Sequence, residues 1–140
     1  MEQKIKNKIQ GLKYENTKEF DIKDIAKLVR KDLKETFGKD FKFSVTISRY
    51  SMGQSLDVSI LESIRNYLNP TRVKDENSDE SLYISEGFEV LDKIKEKVDQ
   101  YNYDNSDSQT DYFDVNFHSY VRFDMDLTDK WRNEIKEGLK

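Results

Sequence analysis

Phe41-Lys42-Phe43-Ser44-Val45-Thr46-Ile47-Ser48 alternates apolar and polar side chains, and Leu56-Asp57-Val58-Ser59-Ile60 repeats the pattern after Ser51-Met52-Gly53-Gln54. Successive strand residues point to opposite faces, so this period of two places Phe41, Phe43, Val45 and Ile47 on one side and the lysine and hydroxyls on the other. Gly53 beside short polar residues supplies a turn, and the two runs are predicted to pair as an antiparallel hairpin. A hairpin with one apolar face needs a cover, and the flanking sequence offers helices.

Upstream, Ile22, Ile25, Ala26, Val29, Leu33 and Phe37 recur at helical spacing, which predicts a helix over about 21–37. Asp21 is its expected N-cap and Gly38 its stop. Downstream, Leu61, Ile64, Tyr67 and Leu68 predict a short helix ending at Asn69-Pro70, followed by an exposed polar loop at 75–80 and a brief extended piece, Leu82-Tyr83-Ile84. A second long helix is expected over about 86–101, with Phe88, Leu91, Ile94, Lys95 and Val98 at helical spacing. A loop over 102–111 leads to a third strand over about 112–123, bent near His118-Ser119. The closing helix is expected over about 128–138, with Thr128 as cap and Trp131, Ile135 and Leu139 inward. The fold class is therefore α+β: a small, mainly antiparallel three-stranded sheet covered by helices, in the order α-β-β-(α)-α-β-α. Residues 1–20 read as a mobile lead-in and 21–140 as a single domain.

Composition narrows the chemistry. The chain has 140 residues, no cysteine, one histidine and five glycines. Disulfides, thiolate metal sites and Cys-His pairs are excluded by the missing cysteine. No Gly-x-Ser-x-Gly elbow and no glycine-rich phosphate loop occurs. His118 alone is a weak basis for catalysis, so a non-enzymatic protein with no cofactor is expected. The start lacks the apolar run of a signal peptide, and no stretch approaches the roughly 18 apolar residues of a membrane span, which predicts a cytoplasmic protein with no membrane partner.

Charge is unevenly distributed. Residues 1–50 hold 13 Lys/Arg against 8 Asp/Glu, and residues 51–140 hold 11 against 20. On the acidic side, Asp99, Asp104, Asp107, Asp111 and Asp114 fall in a stretch without Lys or Arg, interleaved with Tyr101, Tyr103, Tyr112 and Phe113. Acids among aromatic rings suit a surface that docks a basic protein, so Asp104, Asp107, Asp111, Asp114, Tyr101, Tyr103 and Tyr112 are the candidate partner-binding residues. Two other readings stay open: a cation site, for which Asp104-x-Ser106-x-Ser108 lacks the glycine and terminal glutamate of a calcium loop, and a solvated loop. On the basic side, Lys23, Lys27, Arg30, Lys31 and Lys34 lie opposite the apolar stripe of the first helix. They form an alternative patch for nucleic-acid phosphates, to which Arg49 and Tyr50 could add.

Asp24-Ile25-Ala26-Lys27-Leu28-Val29-Arg30-Lys31-Asp32-Leu33-Lys34, Phe41-Lys42-Phe43-Ser44-Val45 and Tyr50-Ser51-Met52-Gly53-Gln54-Ser55-Leu56-Asp57-Val58 carry a resemblance, as do Tyr101–Asp107 and Asp111–Phe113. Over about residues 18–123 the chain resembles the twenty-ninth class of large polyvalent protein associated domains, found in phages and conjugative elements. It departs at Ser59-Ile60-Leu61-Glu62, where the family's strand usually leads to a Trp and an Asp-Gly pair. The resemblance implies a mobile-element origin and no established catalytic activity. Small stand-alone proteins of such elements often disarm host defences. The sharpest expectation is thus an anti-CRISPR protein whose acidic face binds the basic surface of an RNA-guided nuclease.

Overall fold

A computed structural model describes residues 9–10, 21–51, 53–104 and 117–138 of the chain. Helix α1 (Ile22–Phe37) starts at Asp21, whose Oδ1 accepts the backbone N–H of Ile22 at 2.8 Å, as its capping role required. It ends at Gly38, where φ is +59°, a left-handed conformation that glycine adopts without a Cβ clash. Ile22, Ile25, Ala26, Val29 and Leu33 form its buried stripe.

Strands β2 (Phe41–Tyr50) and β3 (Gly53–Ser63) form the expected hairpin. Within the lead-in, β1 (Ile9–Gln10) pairs antiparallel with β4 (Tyr103–Asp104). Phe43 lies opposite Ile60, Val45 opposite Val58 and Ile47 opposite Leu56, so the apolar residues share one face. The register slips between Lys42 and Phe43, which face Glu62 and Ile60, so the extra residue is Leu61 on β3. Residues 112–116, where the third strand was expected to begin, lie outside the described residues; β5 (His118–Phe123) is the described part. It pairs parallel with β3, aligning Val58 with Val121 and Ile60 with Phe123. The sheet order is β2-β3-β5. The hairpin supplies the longer ladder, so the sheet is mostly antiparallel, with one parallel strand. The chain leaves the end of β3, runs back along the sheet as a helix and re-enters at the opposite end, which forces the parallel sense.

Between them lie α2 (Pro70–Lys74) and α3 (Ser85–Asp99). The helix expected over 61–68 is not there: β3 runs on to Ser63, Leu68 bridges to Tyr83, and Ile64 is 72% exposed. Pro70 begins a helix rather than ending one. Its ring disfavours helical geometry at Asn69, whose ψ is 113°, and its missing N–H costs nothing at a first helical position. Helix α4 (Met125–Glu137) likewise begins earlier than expected. Asp124, not Thr128, is its N-cap, accepting the N–H of Asp126, while the Thr128 hydroxyl donates to the Met125 carbonyl at 2.9 Å. Leu139 lies outside the described residues; Trp131 is buried and Ile135 half-buried, as expected.

The three long helices bury their apolar stripes in one cluster with Val45, Leu56, Val58, Ile60 and Phe123. Rings thread this core: Tyr67 stacks on Phe123 at 5.7 Å, and Trp131 meets Phe123 edge-on at 5.1 Å. Gly87 lets the first turn of α3 press against Tyr67 and Tyr83. A Cβ there would fall 3.1 and 3.2 Å from theirs.

Candidate functional site

The acidic segment of 99–114 divides. Asp107, Asp111, Tyr112 and Asp114 lie outside the described residues. Tyr103 and Asp104 form β4, backbone-paired with Gln10 and Ile9. Tyr101 is not a surface ring: it is 3% exposed, with its hydroxyl donating to the Asp32 carboxylate. Burial, then that carboxylate, push its phenol well above the usual tyrosine range. Asp99 is occupied too, accepting the Ser119 hydroxyl at 2.8 Å and facing Lys95 Nζ at 3.6 Å. The Asn102 side chain donates to the Phe117 carbonyl at 2.8 Å and accepts the Phe117 N–H at 3.1 Å, tying the ends of this segment together. Asp99, Tyr101 and Asn102 therefore hold the fold, because their polar atoms are spent on neighbouring elements.

The basic helix also sorts into two groups. Arg30 Nη2 donates to the Val45 carbonyl at 2.7 Å on β2, and Arg49 Nη2 reaches Asp21 Oδ1 at 2.6 Å. Both guanidiniums serve architecture, and Arg49 first of all holds the Asp21 carboxyl below the usual carboxylate range. Lys23, Lys27, Lys31 and Lys34 are exposed and have no ion pair among the described residues.

Another acidic and aromatic surface is present among the described residues. A groove of about 580 Å³ opens between the 79–81 loop and the start of α3, lined by Asn69, Asp79, Glu80, Tyr83, Glu86 and Phe88 among others. Phe88 is 42% exposed and meets Tyr83 edge-on at 5.6 Å. Phe88 was expected in the core, yet it lies a third of a turn beyond the buried Gly87–Ile94–Val98 stripe, which rotates it outward. Burial pushes the Tyr83 phenol up, so that ring stays neutral. Ile84, the residue before α3, offers no side-chain cap. Glu86 fills that role: its own backbone N–H, then the Ser85 hydroxyl at 3.2 Å, hold its carboxyl below the usual range. Asn69 Nδ2 touches Glu80 Oε1 at 3.5 Å while its oxygen caps α2. The polar run at 75–80 had been read only as a solvated loop. The available signal was its proximity in sequence to Tyr83 and Phe88, acids and rings again interleaved.

His118 opens β5 beside Ser55. Among the described residues no group of three or more His, Asp or Glu is placed to hold a metal ion. Among them, too, no helix is long and apolar enough to cross a membrane.

The fold defines a class: an α+β domain with a mixed three-stranded sheet covered by helices. The chain belongs to the large polyvalent protein associated domain 29 family, whose model matches residues 20–135. That span takes in α4, beyond the expected limit. Membership makes this a protein associated with phages and mobile elements. No curated protein and no solved structure matches it.

Proposed function

We propose that the protein is a non-enzymatic binding module that docks onto a basic surface of a host protein through the groove at the start of α3. The observation that carries this reading is the convergence of Asp79, Glu80 and Glu86 around the exposed Phe88 ring. A guanidinium or ammonium entering the groove meets carboxylates and aromatic rings among its lining residues, and both attractions strengthen as water leaves. The narrower form of the proposal is inhibition of an RNA-guided nuclease. Mobile elements are the targets of such enzymes, and the channels that hold guide and target are lined with cations.

The test is gel filtration of the full chain with a purified nuclease–guide complex, alongside a cleavage assay. Co-elution and lost cleavage are expected, and both should weaken at least tenfold in Glu80→Gln/Glu86→Gln/Phe88→Ala. Absence of co-elution with RNA-guided effectors overturns the nuclease reading. Undiminished binding by the triple variant overturns the groove.

A further inference from the structure

A second surface points to a partner of opposite charge and goes beyond the groove. Lys23, Lys27, Lys31 and Lys34 follow one another at helical spacing along α1, spanning roughly 16 Å of its axis at about 1.5 Å per residue. All four are exposed, and none has an ion pair among the described residues. At 100° per residue they fall within an arc of about 80° on the outer face, with Lys23 nearest the side from which Arg30 reaches across to β2. Of the helix's own acids, Asp32 lies farthest round and accepts the Tyr101 hydroxyl, while Asp24 and Glu35 border the lysine arc beside Lys31. Among the described residues no carboxylate forms an ion pair with any of the four, which leaves their ammonium groups available.

We infer that this lysine rail binds the phosphate backbone of double-stranded DNA, without reading its sequence. A row of ammonium groups complements a row of phosphates, and each contact releases condensed counterions. The rail carries no aromatic side chain, so it lacks the stacking platform that single-stranded nucleic acid uses. A helix fits beside or within the wide major groove of B-form DNA, whereas the deep, narrow groove of A-form RNA excludes it. The protein is thus bipolar, with a DNA-facing rail and a protein-facing groove, and the two surfaces do not depend on each other.

The test is fluorescence anisotropy of the full chain with a mixed-sequence DNA duplex of about 20 base pairs, titrated at several salt concentrations. Four phosphate contacts at about 0.9 counterion each give a log–log salt slope near −3.6, a loss of roughly 150-fold between about 50 and about 200 mM salt. Lys23→Ala/Lys27→Ala/Lys31→Ala/Lys34→Ala should lose binding at least tenfold while keeping its helical circular dichroism, since alanine favours helix. The corresponding four-arginine variant should retain it. Glu80→Gln/Glu86→Gln, which alters the groove, should bind DNA as the parent does. No binding at low salt, undiminished binding by the alanine variant, or equal binding to an RNA duplex would each overturn the assignment.

Discussion

Gly87 and Tyr101 show how single atoms set the fold that carries the surfaces. At Gly87 the helix backbone lies so close to Tyr67 and Tyr83 that a methyl group would have to push their Cβ atoms back by a few tenths of an ångström. Gly87→Ala is expected to destabilise by about 1–2 kcal/mol, by overpacking, despite alanine's better helix propensity. A urea titration showing equal or greater stability would contradict that close approach. The Tyr101 hydroxyl donates to a carboxylate, a bond worth roughly 2 kcal/mol when its donor is removed. Its pH signature has a definite sign. The folded phenol titrates above the unfolded one, so its contribution is complete below about pH 10 and is lost as pH climbs beyond that value. Tyr67 and Tyr83 are raised in the same direction by burial. Tyr101→Phe should therefore be less stable at neutral pH yet lose stability less steeply above pH 10; identical slopes would show that Tyr101 does not titrate differently on folding.

At the scale of elements, the two outer strands of the sheet each give a carbonyl to a cationic side chain. Arg30 bonds Val45 on β2, and Lys95 bonds Ser119 on β5 at 3.1 Å. These contacts blunt strand edges that could otherwise recruit another chain. The start of α4 offers a direct check on capping. Asp124→Ala is expected to cost about 1 kcal/mol, lowering the melting temperature by about 3–6 °C; an unchanged midpoint would remove Asp124 as the cap. The hairpin and α1 were legible in the sequence because their periodicity is undiluted and their ends carry Asp21, Gly38 and Gly53. The stretch 61–68 was not, because Leu61, Ile64, Tyr67 and Leu68 fit a helical period while Leu61 continues β3, the chain bends at Ile64 and Leu68 bridges to Tyr83. Pro70 and Thr128 misled for a related reason: proline suits a helix start as well as a helix end, and a buried threonine can bond back within its own helix. The parallel sense of β5 depends on the path of the intervening helices, which no local pattern records.

For the molecule as a whole, charge separation was visible in the linear sequence but its spatial form was not. Counting aspartates singled out residues 99–114, whose described part turns out to include a buried tyrosine and an aspartate engaged by Lys95 and Ser119. The acidic groove joins Asn69, the 79–81 loop and α3, and so appears only when the bridge from Leu68 to Tyr83 has drawn them together. All five basic residues expected on α1 are exposed, and Arg30 in addition donates to the Val45 carbonyl of the sheet. The most direct measurement is amide chemical-shift mapping of the full chain during titration with an Arg/Lys-rich peptide of about ten residues. Shifts concentrated at Asn69 and residues 79–88, and abolished in Glu80→Gln/Glu86→Gln, are expected. Absent shifts, or shifts elsewhere that persist in that variant, would contradict a groove built to receive a basic partner.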